Sequence, residues 1–329
     1  MADAVVLARW EADPVRLSQV MDNMARLRRQ AGRTSTVTSV MTLIIVAMND
    51  ADEERAMAAV RILGGHHPAR ILIIRPEPGG PDGIGARVYI WGCQPAPTVD
   101  AWRVTVDQVC LTVRGRAVGQ LESIIEPFTL ADVPVMIWYP GRLPDPSTGL
   151  LAPASTVIVD SKEVGGQEAL PAIAALVRRH AVIDLSWMRL TPWRELLAGL
   201  FDGPDFRGLL GAIRSGHVEG KPGPRHLLGG WLTSRLKLAP RVLTLGDSVH
   251  AGIHLVASQG GVPATIEVVR IQGERLVRAT AAIQDGPARS TVVALPDDNL
   301  SWSLAQALTH QTRDRVWEEA LGAALTLEP

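Results

Sequence analysis

Cysteine is nearly absent: Cys93 and Cys110 are the only two in 329 residues. That is too few for a disulfide framework and excludes the small, stapled, secreted class. Lysine is scarce beside arginine, 3 against 30; with abundant Ala, Gly and Pro this reads as coding bias, so an arginine cluster carries little weight by itself. Charge of one sign is missing as well. The 33 Lys plus Arg nearly cancel 34 Asp plus Glu, leaving −1, whereas a nucleic-acid partner calls for a basic domain or stripe. No long apolar run exists. The longest stretch free of both charge and histidine, Thr34 to Asn49, has 16 residues rich in Thr and Ser. It falls short of the ~18–20 that span a bilayer, so it reads as a buried strand and no membrane partner is expected. The N-terminus has Asp3 and no basic-then-apolar pattern of a signal peptide, so the cytoplasm is the expected compartment.

The familiar catalytic signatures are missing too. There is no Gly-Lys-Ser/Thr loop, no His-Glu-x-x-His, no Cys-x-x-Cys and no Gly-x-Ser-x-Gly elbow. Gly83-Ile84-Gly85 opens like a dinucleotide fingerprint, but Ala86 to Trp91 continues as a strand where a phosphate-binding helix is required. Asp247, Ser248, His250 and His254 are triad residue types in turn context, without nucleophile geometry. His66-His67 would need further ligands to hold a metal. No cofactor, metal or catalytic residue is expected.

The length suggests about two domains. Asp13-Pro14 reads as a helix start, and Leu17, Val20, Met21, Met24 and Leu27 recur on one face of a helix from about 14 to 30. Strands follow at about 37–48 and 70–75, flanking a helix at about 51–63, then at about 86–93 and 104–113. A helix at about 115–126, strands at about 133–139 and 156–160, and a helix near 167–180 complete an α/β order. After about residue 185 a helical section, interrupted by the Gly/Pro stretch 215–224, leads into runs at about 241–245, 250–258, 263–271, 275–283 and 289–295. Gly246-Asp247, Gly260-Gly261, Gly273-Glu274 and Asp285-Gly286 punctuate them as an antiparallel meander. Asp297-Asp298 starts a terminal helical hairpin. The expectation is an α/β, Rossmann-like N-terminal domain over 1–185 with a mainly parallel or mixed sheet. An α+β domain over 186–329 with an antiparallel meander and terminal helices follows.

The most informative stretch runs from Asp184 to Leu197. Thr191 reads as an N-cap with Pro192 at the first helical position. Trp187, Arg189, Trp193 and Arg194 are the residue types that dominate interface hot spots and grip phosphate or carboxylate. Their bland alternative is two buried rings at a domain junction, with Asp184 satisfying one guanidinium. Arg26, Arg28, Arg29 and Arg33 form a basic cluster at a helix end that an anionic partner could meet.

His66-His67-Pro68-Ala69-Arg70, Asp132-Val133-Pro134-Val135-Met136-Ile137-Trp138-Tyr139-Pro140-Gly141 and the 184–197 segment occur in the order seen in the glucose-6-phosphate dehydrogenase assembly protein family, OpcA, which the chain resembles. Trp231 to Leu236 and Asp314 to Leu321 are similar in position. The resemblance implies a non-enzymatic partner that binds glucose-6-phosphate dehydrogenase, favours its active oligomer and so supports the oxidative pentose phosphate pathway. On that reading Trp187, Arg189, Trp193, Arg194, Trp138, Tyr139 and Arg142 are the partner-binding candidates, and His67 and Arg70 the anion-binding ones. Some members are under cysteine redox control; no such motif surrounds Cys93 and Cys110, which leaves a thioredoxin-type partner unsupported. The alternative is a sugar-phosphate- or nucleotide-binding sensor or enzyme, with Arg189 and Arg194 clamping the phosphate.

Overall fold

The computed structural model describes residues 5–31, 39–63, 69–93, 104–130, 132–295, 300–309 and 313–327. The chain divides into two compact units that exchange short stretches. One comprises Met1–Val159, His180–Val182 and Leu304–Gln311; the other Asp160–Arg179, Ile183–Ser303 and Thr312–Pro329.

The first unit is built on β1 (Val5–Ala12), α1 (Leu17–Ala31), β2 (Met41–Val46), α2 (Asp50–Leu63), β3 (Ala69–Glu77), β4 (Gly83–Cys93), β5 (Val104–Arg114), a short α3 (Leu121–Ile125), β6 (Val135–Trp138) and β7 (Thr156–Val159). After α4 (Leu170–Val177) comes β8 (Ala181–Asp184), and the eight strands order as β1-β4-β5-β3-β2-β6-β7-β8. β2 pairs in parallel with β3 and β6, and β3 with β5, while β4 runs antiparallel to β1 and β5. The sheet is therefore mixed. Every residue of β2 is buried, as expected for a run apolar on both faces and covered on both. Leu43, Ile44 and Ile45 are fully excluded from solvent, each worth about 1.5–3 kcal/mol of burial.

The second unit holds α4 and continues through α5 (Leu185–Arg189), α6 (Thr191–Leu200), α7 (Pro204–Arg207), β9 (Ile213–Gly220), α8 (Pro224–Leu236), β10 (Leu243–Asp247), β11 (Gly252–Gln259), β12 (Val262–Arg270), β13 (Leu276–Ile283), β14 (Ala288–Ala294), the start of α9 (Leu300–Thr309), which from Leu304 on belongs to the first unit, and α10 (Arg315–Ala324). Its sheet orders as β10-β9-β11-β12-β13-β14. The expected meander is present from β11 to β14, with α6 packed on β12, β13 and β14. Alternation of Ile266, Val268, Val277 and Ala279 with polar neighbours buries one face. α8 lies against α10, so close that a Cβ on Gly230 would come within 2.1 Å of the Ala320 carbonyl oxygen.

Several local expectations are corrected. Asp13 does not cap α1, which starts at Leu17; its carboxylate takes two hydrogen bonds from Arg114, at 2.5 and 2.7 Å. The Gly/Pro interruption 215–224 holds most of β9, where a long ladder with β11 overrides low strand propensity. β10 is no part of the meander, since it pairs parallel to β9. The single helix expected over 115–126 is broken into two 3₁₀ turns around α3. The short edge strands β1 and β8 escaped sequence reading. Asp297-Asp298 lies outside the described residues. Among those residues no helix is long and apolar enough to cross a membrane.

Candidate functional site

The segment after β8 is organised by two carboxylates. Asp184 caps α5: its Oδ1 accepts from the Ser186 backbone N–H at 2.9 Å and the Ser161 N–H at 3.0 Å. It is fully buried; desolvation first, then the neighbouring Asp160 charge, push its carboxyl up to about 6. Asp160 receives the Arg189 guanidinium at 2.5 Å and the Ser186 hydroxyl at 2.7 Å. The guanidinium partner is thus Asp160 and not Asp184, which faces two backbone donors.

Trp187 and Arg194 form a second cluster. The Arg194 guanidinium stands 3.4 Å from the centre of the Trp187 ring, a cation–π contact. It donates to Thr191 Oγ1 at 2.9 Å and to the Trp187 carbonyl at 3.2 Å, and burial pulls its pKa down to about 10. Thr191 therefore serves as an acceptor inside α6, whose N-cap is Leu190. The Trp187 indole N–H donates to Asp314 Oδ2 at 2.8 Å, and Asp314 Oδ1 caps α10 through the Trp317 N–H at 3.1 Å. One aspartate thereby links two segments far apart in sequence.

Arg189 and Trp193 face differently. The Trp193 indole N–H donates to the Ala251 carbonyl at 3.0 Å. With Ser186 these side chains line a half-open cavity of about 140 Å³ that also carries Lys162, Lys221 and Arg270. None of its described lining residues is an Asp or Glu.

The remaining sequence candidates lie elsewhere. Trp138 is 1% exposed and Tyr139 4%; burial raises the Tyr139 phenol to about 12. Arg142 stands exposed in the loop that follows. Arg70 is buried and donates to the Phe128 carbonyl at 3.1 Å, with its Nε 3.9 Å from Asp107. Arg28 also turns inward onto Asp107, while Arg26 bonds Asn23. His67 and Arg33 lie outside the described residues. Cys110 is buried and its thiol is pushed up to about 11 by desolvation. Register pairs Cys110 with Arg87 and Cys93 with Val104, six positions apart on β4 (93 − 87) or roughly 20 Å of backbone. Among the described residues no group of three or more His, Cys, Asp or Glu is placed to hold a metal.

Sequence reading missed Lys162, Lys221 and Arg270, which come from separate turns. A signal was present. In a chain with only three lysines, two line one cavity.

Comparison with known proteins agrees with the marker segments. The model of the glucose-6-phosphate dehydrogenase subunit N-terminal domain matches residues 60–178, and that of the C-terminal domain residues 180–321. A Synechocystis sp. protein named OpcA, of the OxPP cycle, is 28% identical over 187 residues, 54% of this chain and 39% of that protein. A Nostoc punctiforme protein of the same name is 29% identical over 183 residues, 53% of this chain and 39% of its own length. The matched stretch thus spans about two fifths of those curated relatives. With both domain models matched in order over most of its length, the chain belongs to the OpcA family of glucose-6-phosphate dehydrogenase assembly proteins.

Proposed function

We propose that this protein is a non-catalytic assembly factor that binds glucose-6-phosphate dehydrogenase and favours its active oligomer, in the cytoplasm and in support of the oxidative pentose phosphate pathway. The observation that carries the reading is the consecutive match of both subunit-domain models over 60–178 and 180–321. The mechanism is differential affinity: a factor that binds the active oligomer better than the inactive form shifts the population by that difference alone. A tenfold shift requires about 1.4 kcal/mol.

Burial divides the partner-binding candidates into two roles. Trp187, Trp138 and Tyr139 are at most 4% exposed, and Arg194 is committed to Trp187, so these positions hold the surface in shape. Arg142 offers an exposed guanidinium in a loop anchored by the buried Tyr139, and is the contact residue in this proposal. Co-sedimentation of the purified chain with its cognate dehydrogenase tests it. The wild type is expected to co-sediment, and Arg142→Glu to weaken the complex about tenfold or more, with unchanged thermal stability. Undiminished binding by Arg142→Glu would remove that loop from the interface, and no binding by the wild type would refute the reading.

A further inference from the structure

The cavity beside α5 gathers cations that the packing of the fold does not explain. Several arginines elsewhere meet carboxylates: Arg75 with Glu77, Arg116 with Asp82, Arg235 with Glu319, Arg313 with Glu318. Here Lys221 follows β9, Arg270 ends β12 and Lys162 follows β7, and all three converge on one cavity whose described lining has no carboxylate. Among the described residues neither Lys221 nor Arg270 has an ion-pair partner; Arg270 donates to the Glu274 carbonyl at 3.1 Å and to His250 Nδ1 at 3.2 Å. Lys162 has only its neighbour Glu163, at 3.6 Å, and its side chain stays 42% exposed. An anion entering the cavity would meet cationic groups drawn from three separate turns.

The rest of the lining indicates the kind of anion. The lining also includes Ser186 and Trp193, both buried, and Trp302. Aromatic walls accept a flat or ring-shaped apolar face, and cations at the mouth supply charge-assisted hydrogen bonds to phosphoryl oxygens. Pro224 also lines the cavity and begins α8, whose N-terminal end adds the positive pole of a 13-residue helix. The half-open cavity, of about 140 Å³, has room for one ring.

We propose that this cavity binds a small organic phosphate, a phosphomonoester on a single ring, with Lys221 and Arg270 holding the phosphoryl group and Trp193 the ring. The site lies within one structural unit, and its binding is measurable without the dehydrogenase, so it stands or falls independently of the assembly reading.

Isothermal titration of the full chain tests it, with thermal melting to confirm that each variant folds. The probes are a hexose 6-phosphate, the unphosphorylated hexose, a nucleoside monophosphate, inorganic phosphate and citrate. Saturable binding is expected for at least one phosphomonoester and none for the hexose. Lys221→Ala and Arg270→Ala should each weaken it tenfold or more at unchanged melting temperature, while Lys221→Arg retains it. The preferred phosphomonoester identifies the ring. Equal binding of inorganic phosphate or citrate would overturn the organic-phosphate assignment in favour of a nonselective cationic surface. No binding, or binding undiminished in both alanine variants, would overturn the site.

Discussion

Two buried titratable residues, Asp184 and His226, shift on folding so that their contributions to stability run in opposite directions with pH. Asp184 rises from an ordinary 3.8 to about 6 on folding. The folded state therefore holds more protons than the unfolded one between about pH 4 and 6, and this group's contribution to stability falls as pH rises through that window, by about 3 kcal/mol at most. His226 is buried, neither ring nitrogen has a hydrogen-bond partner among the described residues, and desolvation with the adjacent Arg225 charge lowers it from 6.5 to about 4. Its unfolded form takes up the proton first, so its contribution is lost as pH falls from about 6.5 to 4. In melts from pH 4 to 8, Asp184→Asn should gain stability relative to wild type as pH rises, and His226→Leu as pH falls; parallel curves would contradict both assignments. Arg194→Ala should cost about 2 kcal/mol by denaturant melts, because it removes a desolvated cation–π contact and two hydrogen bonds together. Arg194→Lys should recover little, since an ammonium cannot cover the ring and reach Thr191 at once.

At the scale of elements, what was legible in the sequence is what local pattern controls. β2 announced itself through Leu43 to Val46, apolar on both faces, and the strands β11 to β14 through glycine-bearing turns between them. β9 did not, because Ser215 and Gly216 are poor strand formers held by pairing with β11, and Gly220 by pairing with β10. Asp13 looked like a helix cap but answers Arg114, a residue 101 positions away, and no local rule contains that contact. The site divides in the same way. Trp187, Arg189, Trp193 and Arg194 were visible as a cluster along the chain, yet only folding separates the pair stacked on each other from the pair that lines a cavity. Lys162, Lys221 and Arg270 come from three other segments and needed tertiary structure to be seen together. The contact of α8 with α10 gives a sharp test: Gly230→Ala would press a methyl onto the Ala320 carbonyl and the Ala324 backbone. A loss of about 1–3 kcal/mol in denaturant melts is expected, and an unchanged midpoint would show that the helices can part freely.

For the whole molecule, the two family models fall one after the other on a chain whose structural units exchange segments: Asp160–Arg179 belongs with the second unit although it precedes β8. On the proposed reading, function at this scale is a population shift in another protein, and it is measured there. The decisive measurement is a titration of this protein into its cognate glucose-6-phosphate dehydrogenase, following NADPH formation and oligomer mass by light scattering in the same samples. The account predicts a saturable rise in rate that coincides with a larger or tighter dehydrogenase oligomer. A rate and a mass that both stay flat through a stoichiometric excess would contradict it.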